Sequence, residues 1–148
     1  MLKVKDLMTT ELFTLKENDN LNISKFLMEN KKIRHMPVIN HRHEFIGLIT
    51  QRDLLAMNIS TLADLDEEQE ADILKGIPVV EVMREEIATV TPDTDLQDAA
   101  KLMFDHKYGC LPVLDGKKLL GIITEADFVR LTWKLLQYAK ERQDEQND

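Results

Sequence analysis

One seven-residue pattern occurs twice in this chain, and it restricts the fold more than any other feature. Gly47-Leu48-Ile49-Thr50-Gln51-Arg52-Asp53 is answered by Gly121-Ile122-Ile123-Thr124-Glu125-Ala126-Asp127. Each copy reads as an apolar strand that ends in a hydroxyl, with a carboxylate three residues later. A self-similar chain folds as repeated units, and neither unit can bury its apolar face alone.

The spacing of other anchors supports the duplication. Met8 and Met83, Thr14 and Thr89, and Pro37 and Pro112 are each 75 positions apart, whereas Gly47 and Gly121, Thr50 and Thr124, and Asp53 and Asp127 are 74 apart. One residue is lost between Pro112 and Gly121, where Asp115-Gly116 predicts a tight hairpin turn and the first copy has the longer Asn40-His41-Arg42-His43. Each copy opens with an apolar stretch ending in Met, Val4–Met8 and Val80–Met83. A short strand candidate follows, Leu12–Leu15 and Ile87–Val90.

A helix is predicted next in each copy. Asp19 is expected to cap the first, and Thr94 with Gln97 to form a capping box on the second. The inward face of the first helix is predicted as Leu21, Ser24, Leu27 and Met28. That of the second is Leu96, Ala99, Ala100 and Met103. Met36-Pro37-Val38-Ile39 and Leu111-Pro112-Val113-Leu114 then read as strands, with the proline expected at the first residue. Third strands are predicted over Glu44–Thr50 and Lys118–Thr124, each running into a helix. The fold class is thus α/β (α+β), two β-α-β-β-α repeats with small packed sheets plus a long C-terminal helix.

The division we expect is repeat 1 over 1–57, an acidic linker over 58–78, repeat 2 over 79–130, and a C-terminal helix and tail over 131–148. Glu67, Glu68, Glu70 and Asp72 read as a solvated face, closed by Gly76 and Pro78. Ala126–Gln143 reads as one helix with Phe128, Val129, Leu131, Trp133, Leu135, Leu136 and Ala139 on a broad apolar face. Asp144–Asp148 is expected to fray.

Composition narrows the function. The 148 residues carry 19 basic and 27 acidic side chains, a net charge of −8. That argues against a general nucleic-acid binder, which needs a basic face to displace counterions from phosphates. The single Cys110 rules out an internal disulfide and fits a reducing compartment. No stretch approaches the ~20 apolar residues of a membrane span, and no export signal is visible, so we expect a cytoplasmic protein.

The chain resembles tandem CBS-domain proteins, the stand-alone Bateman modules. The resemblance rests on the ordered set, twice, of a Met-terminated opening (Asp-Leu-Met in the first copy), Met-Pro-Val-Ile or Leu-Pro-Val-Leu, and Gly-x-x-Thr-x-x-Asp. It covers residues ~4–57 and ~79–130 as a repeat count. It implies two α/β units with clefts between the repeats, and pairing of modules into flat dimers. It also implies binding of an adenosine-type ligand (AMP, ADP, ATP or S-adenosylmethionine) without catalysis.

The residues suit that chemistry. A carboxylate can accept from both ribose hydroxyls, so Asp53 and Asp127 are candidate ribose clamps. Thr50 and Thr124 stand at helix starts, where free N–H groups favour phosphate. Arg34, three residues before Pro37, and Arg52 supply cations to the first site, whereas Gly109 and Ala126 replace them in the second. The Asp53 site is therefore the better phosphate site. By the resemblance, Ala88 and Tyr108 face the ligand held by Asp53, and Phe13 and Ile33 the one held by Asp127. Leu48 and Ile122, from the third strands, complete the set. Gly47 and Gly121 are read as sites of close backbone packing.

Blander readings stand beside these. Thr-x-x-Asp at a helix start is itself a capping pattern. His41 and His43 on one turn are too few for a metal, and Cys110 reads as a buried filler. No nucleophile-and-base or metal-ligand constellation is apparent, so we expect neither an enzyme nor a bound cofactor. The expected partners are an adenine nucleotide, a second copy through the CBS helices and the C-terminal helix, and an unidentified effector protein. The alternative is a dimerisation module with vestigial clefts.

Overall fold

The computed structural model describes residues 1–57 and 64–147. In chain order the elements are β1 (Leu15–Lys16), α1 (Leu21–Lys31), β2 (His35–Ile39), β3 (Phe45–Thr50), α2 (Gln51–Met57), α3 (Glu67–Lys75), α4 (Leu96–His106), β4 (Cys110–Asp115), β5 (Lys118–Thr124) and α5 (Glu125–Asn147). Short 3-10 turns lie at Val4–Asp6 and Val79–Glu81. This is the mixed α/β architecture expected, with small sheets and a long final helix.

The residues gather into two compact units. One holds Met1–Glu11, Thr89–Asp115 and Leu120–Asp148; the other holds Leu12–Ala88 and Gly116–Leu119. Each repeat thus contributes its opening segment to the unit built mainly from the other repeat.

In the Leu12–Ala88 unit, β1, β2 and β3 form a sheet in that order. β1 runs parallel to β2, pairing Leu15 with Val38, and β2 runs antiparallel to β3, pairing Pro37 with Leu48. The core is Leu15, Leu21, Met28, Met36, Val38, Ile49, Leu74 and Val79. Leu21, Ser24 and Met28 line the buried face of α1 as the periodicity predicts, and the Ser24 hydroxyl donates to the Leu21 carbonyl at 2.8 Å. In the other unit α4 buries Leu96, Ala99 and Met103 in the same way.

The opening strands are shorter than expected. β1 has two residues, and its counterpart is a single parallel bridge between Val90 and Val113. The prolines lie third in β2 and β4, not first. Pro112 is tolerated because the parallel pairing there uses other groups: Val90 N–H donates to the Pro112 carbonyl at 3.0 Å, and Leu114 N–H to the Val90 carbonyl at 2.9 Å. The Asp115-Gly116 turn forms as predicted, with Gly116 at φ 62.

Both predicted caps lie one residue too early. Asn20 caps α1, accepting from Ile23 N–H at 3.1 Å. Asp95 occupies the cap position of α4 without a side-chain cap and pairs instead with Lys3. Asp19 and Thr94 close the preceding turns, each accepting a backbone N–H three residues back, from Lys16 at 2.7 Å and Thr91 at 3.1 Å. Short polar side chains serve turns and caps by the same local bond, so spacing alone does not tell which one they make.

The acidic segment is more than a solvated face. Asp66 and Gln69 form a capping box on α3, Glu70 pairs with Lys25 at 3.2 Å, and Leu74 is buried in the core. Residues 58–63 of the expected linker lie outside the described residues. The C-terminal helix extends through Asn147, past the point where fraying was expected. From Thr132 to Asn147 every residue is exposed within the chain.

Gly121 is a site of close backbone packing, as expected, whereas Gly47 packs against a side chain. A Cβ on Gly121 would lie 2.8 Å from the Thr9 carbonyl oxygen, and one on Gly47 would press on the Met83 side chain, with Cγ at 2.7 Å. Backbone cannot yield as a thioether can. Gly121→Ala should therefore lower stability by about 1–3 kcal/mol, and Gly47→Ala by less. Met83→Ala should rescue Gly47→Ala, whereas Met8→Ala should not rescue Gly121→Ala. Urea denaturation of the single and double variants checks this; equal losses that both yield to methionine truncation would refute it.

Candidate functional site

The two motif carboxylates sit at equivalent strand-to-helix junctions, each described within its own unit. At the first, the Thr50 N–H donates to Asp53 Oδ2 at 3.0 Å and the Asp53 N–H donates to Thr50 Oγ1 at 3.2 Å. At the second, the Thr124 N–H and hydroxyl both donate to Asp127 Oδ2, at 2.9 and 3.3 Å. The capping reading is thus realised at both sites. It occupies Oδ2 and leaves Oδ1 for something else.

What takes Oδ1 differs. Arg84 donates to Asp53 Oδ1 through Nε at 3.0 Å and Nη2 at 2.8 Å. Thr9 donates its hydroxyl to Asp127 Oδ1 at 3.0 Å, and Arg130, one turn along α5, approaches the same oxygen at 3.3 Å. Arg84, Thr9 and Arg130 were not among the residues read from the motif. The signal for the first two was present: they are 75 positions apart and directly follow Met83 and Met8.

The reason they arrive there lies in the backbone. Arg84 and Leu48 exchange N–H···O bonds, both 2.9 Å, and Thr9 and Ile122 do the same at 2.9 and 3.0 Å. The residue after each methionine is thereby set against the third strand of the other repeat. Leu48 and Ile122 are buried, 4% and 6% exposed, with their backbone groups engaged in this pairing.

The first site is also the more cationic and more open one. The Asp53 side chain is 13% exposed and that of Asp127 4%. Arg34 and Arg52 are exposed, and neither is in an ion pair with a carboxylate among the described residues. A pocket of about 260 Å³ lined by Met28, Glu29, Lys32, Ile33, Arg34 and Gln51 opens beside the end of β3. The Gln51 N–H donates to the Arg34 carbonyl at 2.8 Å, which fixes this basic wall to the start of α2.

The remaining expected residues are placed separately. Phe13 is 43% exposed, with Lys31 Nζ 5.4 Å from its ring centroid, and Ala88 ends the same unit half-buried. Tyr108 belongs to the other unit and stacks on His106 at 5.2 Å. His41 stands 3.8 Å from Glu17 on the surface, and no cluster suited to a metal occurs among the described residues. Burial, with a smaller push from Glu125, raises the Cys110 thiol to about 12, so it is unreactive packing. No described helix is long and apolar enough to cross a membrane.

With the geometry established, comparison with known proteins places the chain. The CBS domain profile matches residues 4–59 and 71–134. The chain belongs to the CBS-domain family. A CBS domain-containing protein of Dictyostelium discoideum is 31% identical over 135 residues, covering 90% of this chain and 93% of that one. The crystal structure of a Vibrio cholerae chain named AcuB, for acetoin utilization, superposes with TM-score 0.80 at 38% identity over 95% of this chain and 97% of that one. CBSX2 in complex with AMP superposes with TM-score 0.76 at 28% identity, over 91% of this CBS chain and 98% of the other. Other curated relatives are longer, and the chain spans 42% and 31% of two of them.

The Asp53–Arg84 pair should be visible in the pH dependence of stability. Burial pushes the Asp53 carboxyl upward, but the Arg84 hydrogen bonds, the Thr50 hydroxyl and amide, and the Arg84 charge together hold it below the ordinary carboxylate value. A depressed folded-state pKa gives stabilisation that is complete above the unfolded value and is lost as pH falls through the folded one. Arg84 is 57% exposed, so the pair contributes about 0.2–1 kcal/mol near neutrality. The stability gap between wild type and Arg84→Ala should shrink below about pH 4, read by urea denaturation across pH. A gap that stays constant would show that this pair does not set it.

Proposed function

We propose that this CBS-domain chain is a non-catalytic regulatory module that binds an adenosine-type ligand, AMP, ADP, ATP or S-adenosylmethionine, through Asp53. The carrying observation is a motif carboxylate held at a strand end by Thr50 and met on its other oxygen by the Arg84 guanidinium; Lys32 and Arg34 line a pocket that reaches Gln51, the first residue of α2. Asp53 takes the ribose hydroxyls, with Arg34 and Arg52 supplying charge for phosphate. In this reading Ala88, in the same unit as Asp53, contributes to the adenine wall. A weaker site is proposed at Asp127, with Thr124 at its helix start. CBSX2, similar over nearly its whole length, is known in complex with AMP, which supports the ligand class. Such a module acts as a metabolite sensor in the cytoplasm and passes its state to an effector protein.

A thermal-shift panel with AMP, ADP, ATP, S-adenosylmethionine and GTP tests this. Ligand at one hundred times its dissociation constant stabilises by about 2.7 kcal/mol, roughly 5–10 °C at this size. Adenine ligands should raise the melting temperature and GTP should not. The shift should vanish in Asp53→Ala, measured against that variant's own melting point. No shift with any adenine ligand, or an undiminished one in Asp53→Ala, sinks the reading.

One observation favours association of two copies as a second role. On α5, Val129, Trp133 and Leu136 are 68%, 61% and 66% exposed and fall on one face at helical spacing. Sedimentation of wild type should show twice the 17.1 kDa chain mass, and Trp133→Glu should shift it towards the monomer. A monomeric wild type at micromolar concentration would refute this role.

A further inference from the structure

Arg84 holds Asp53 in a way that its counterpart does not hold Asp127. Its backbone is pinned by the paired bonds to Leu48, so only the side chain can move. That side chain is 57% exposed, yet two of its nitrogens converge on the single oxygen Oδ1. The other oxygen, Oδ2, is committed to the Thr50 amide. At the equivalent position Thr9 offers Asp127 a neutral hydroxyl. The guanidinium near Asp127 comes instead from Arg130, which also donates to the Leu7 carbonyl at 3.4 Å. Asp127 is therefore met by four donors, of which one is charged, whereas Asp53 is met by the Thr50 amide and two nitrogens of a single exposed guanidinium.

We propose that Arg84 is a specificity-determining cover on the Asp53 carboxylate, which makes this site select nucleoside phosphates over the neutral nucleoside. The inference rests on the nucleotide-binding reading above. A ribose that claims both oxygens of Asp53 must displace the guanidinium from Oδ1. Breaking the pair forfeits a modest attraction and returns the exposed guanidinium to solvent, where it is free to take a new partner. A ribonucleotide brings that partner, because its phosphate hangs one carbon beyond the ring that carries the hydroxyls. The freed guanidinium can then grip phosphate oxygens through its fork of donors. Adenosine must break the same pair and returns nothing to Arg84. Arg34 and Arg52 add attraction for phosphate, but neither covers the carboxylate in the free protein.

Calorimetric titration of wild type, Arg84→Thr and Arg84→Lys with AMP and with adenosine decides the matter. Each variant is first checked for a cooperative thermal transition. The threonine copies the residue at the equivalent position, so the backbone pairing is retained. In wild type AMP should bind at least about tenfold tighter than adenosine. In Arg84→Thr adenosine should bind tighter than in wild type and AMP weaker, so that the ratio falls towards one. Arg84→Lys should keep part of the preference. An unchanged ratio in Arg84→Thr, or an equal weakening of both ligands, overturns the cover while leaving the nucleotide reading intact. Folded protein that binds neither ligand in wild type or variants overturns both. Binding of AMP seen only in Arg84→Thr overturns the proposal as well, because the wild-type guanidinium would then block the nucleotide instead of selecting it.

Discussion

The organising interaction is a pair of backbone bonds made by the residue after each opening methionine. Thr9 meets Ile122 and Arg84 meets Leu48, each by reciprocal N–H···O bonds of 2.9–3.0 Å. This seats an opening segment against a third strand of the other repeat, and much else follows. The strand must carry glycine there, because a side chain at Gly121 would strike the Thr9 carbonyl and one at Gly47 would strike Met83. The same seating delivers Thr9 to Asp127 and Arg84 to Asp53. Packing and site chemistry therefore share one cause.

Duplication made the two sites alike in backbone and left them free to differ in charge. Both carboxylates cap a helix through Oδ2, which is a structural task. The task of Oδ1 has diverged. Asp127 is nearly sealed, with its donors drawn from Thr9 and Arg130, whereas Asp53 is met by one exposed arginine. In a chain of net charge −8, local cations at one site matter more than the overall balance. An acidic protein can hold a phosphate ligand if a few guanidinium groups are placed well.

Three elements depart from their sequence patterns, each for its own physical reason. Asp19 and Thr94 fit the pattern of helix caps and instead close turns, because the same short polar side chain satisfies a backbone N–H in either setting. Pro37 and Pro112 read as strand starts and lie further in; at Pro112 the parallel neighbour asks for the proline carbonyl and not for its missing donor. The acidic segment has the composition of a solvated face. Leu74 and the Glu70–Lys25 pair tie it to the core instead, and its composition hid one docking residue among many charges.

The sequence by itself determined the repeat, the order of elements, the buried faces of α1 and α4, the two glycines and the two motif carboxylates. Each of these depends on spacing along the chain, and periodicity records spacing. Only the tertiary structure decided which segment serves which carboxylate. Arg84 lies 31 residues from Asp53, and Thr9 118 from Asp127. A hydrogen bond between groups so far apart leaves no local pattern, so it becomes legible only when the backbone has brought the two strands together.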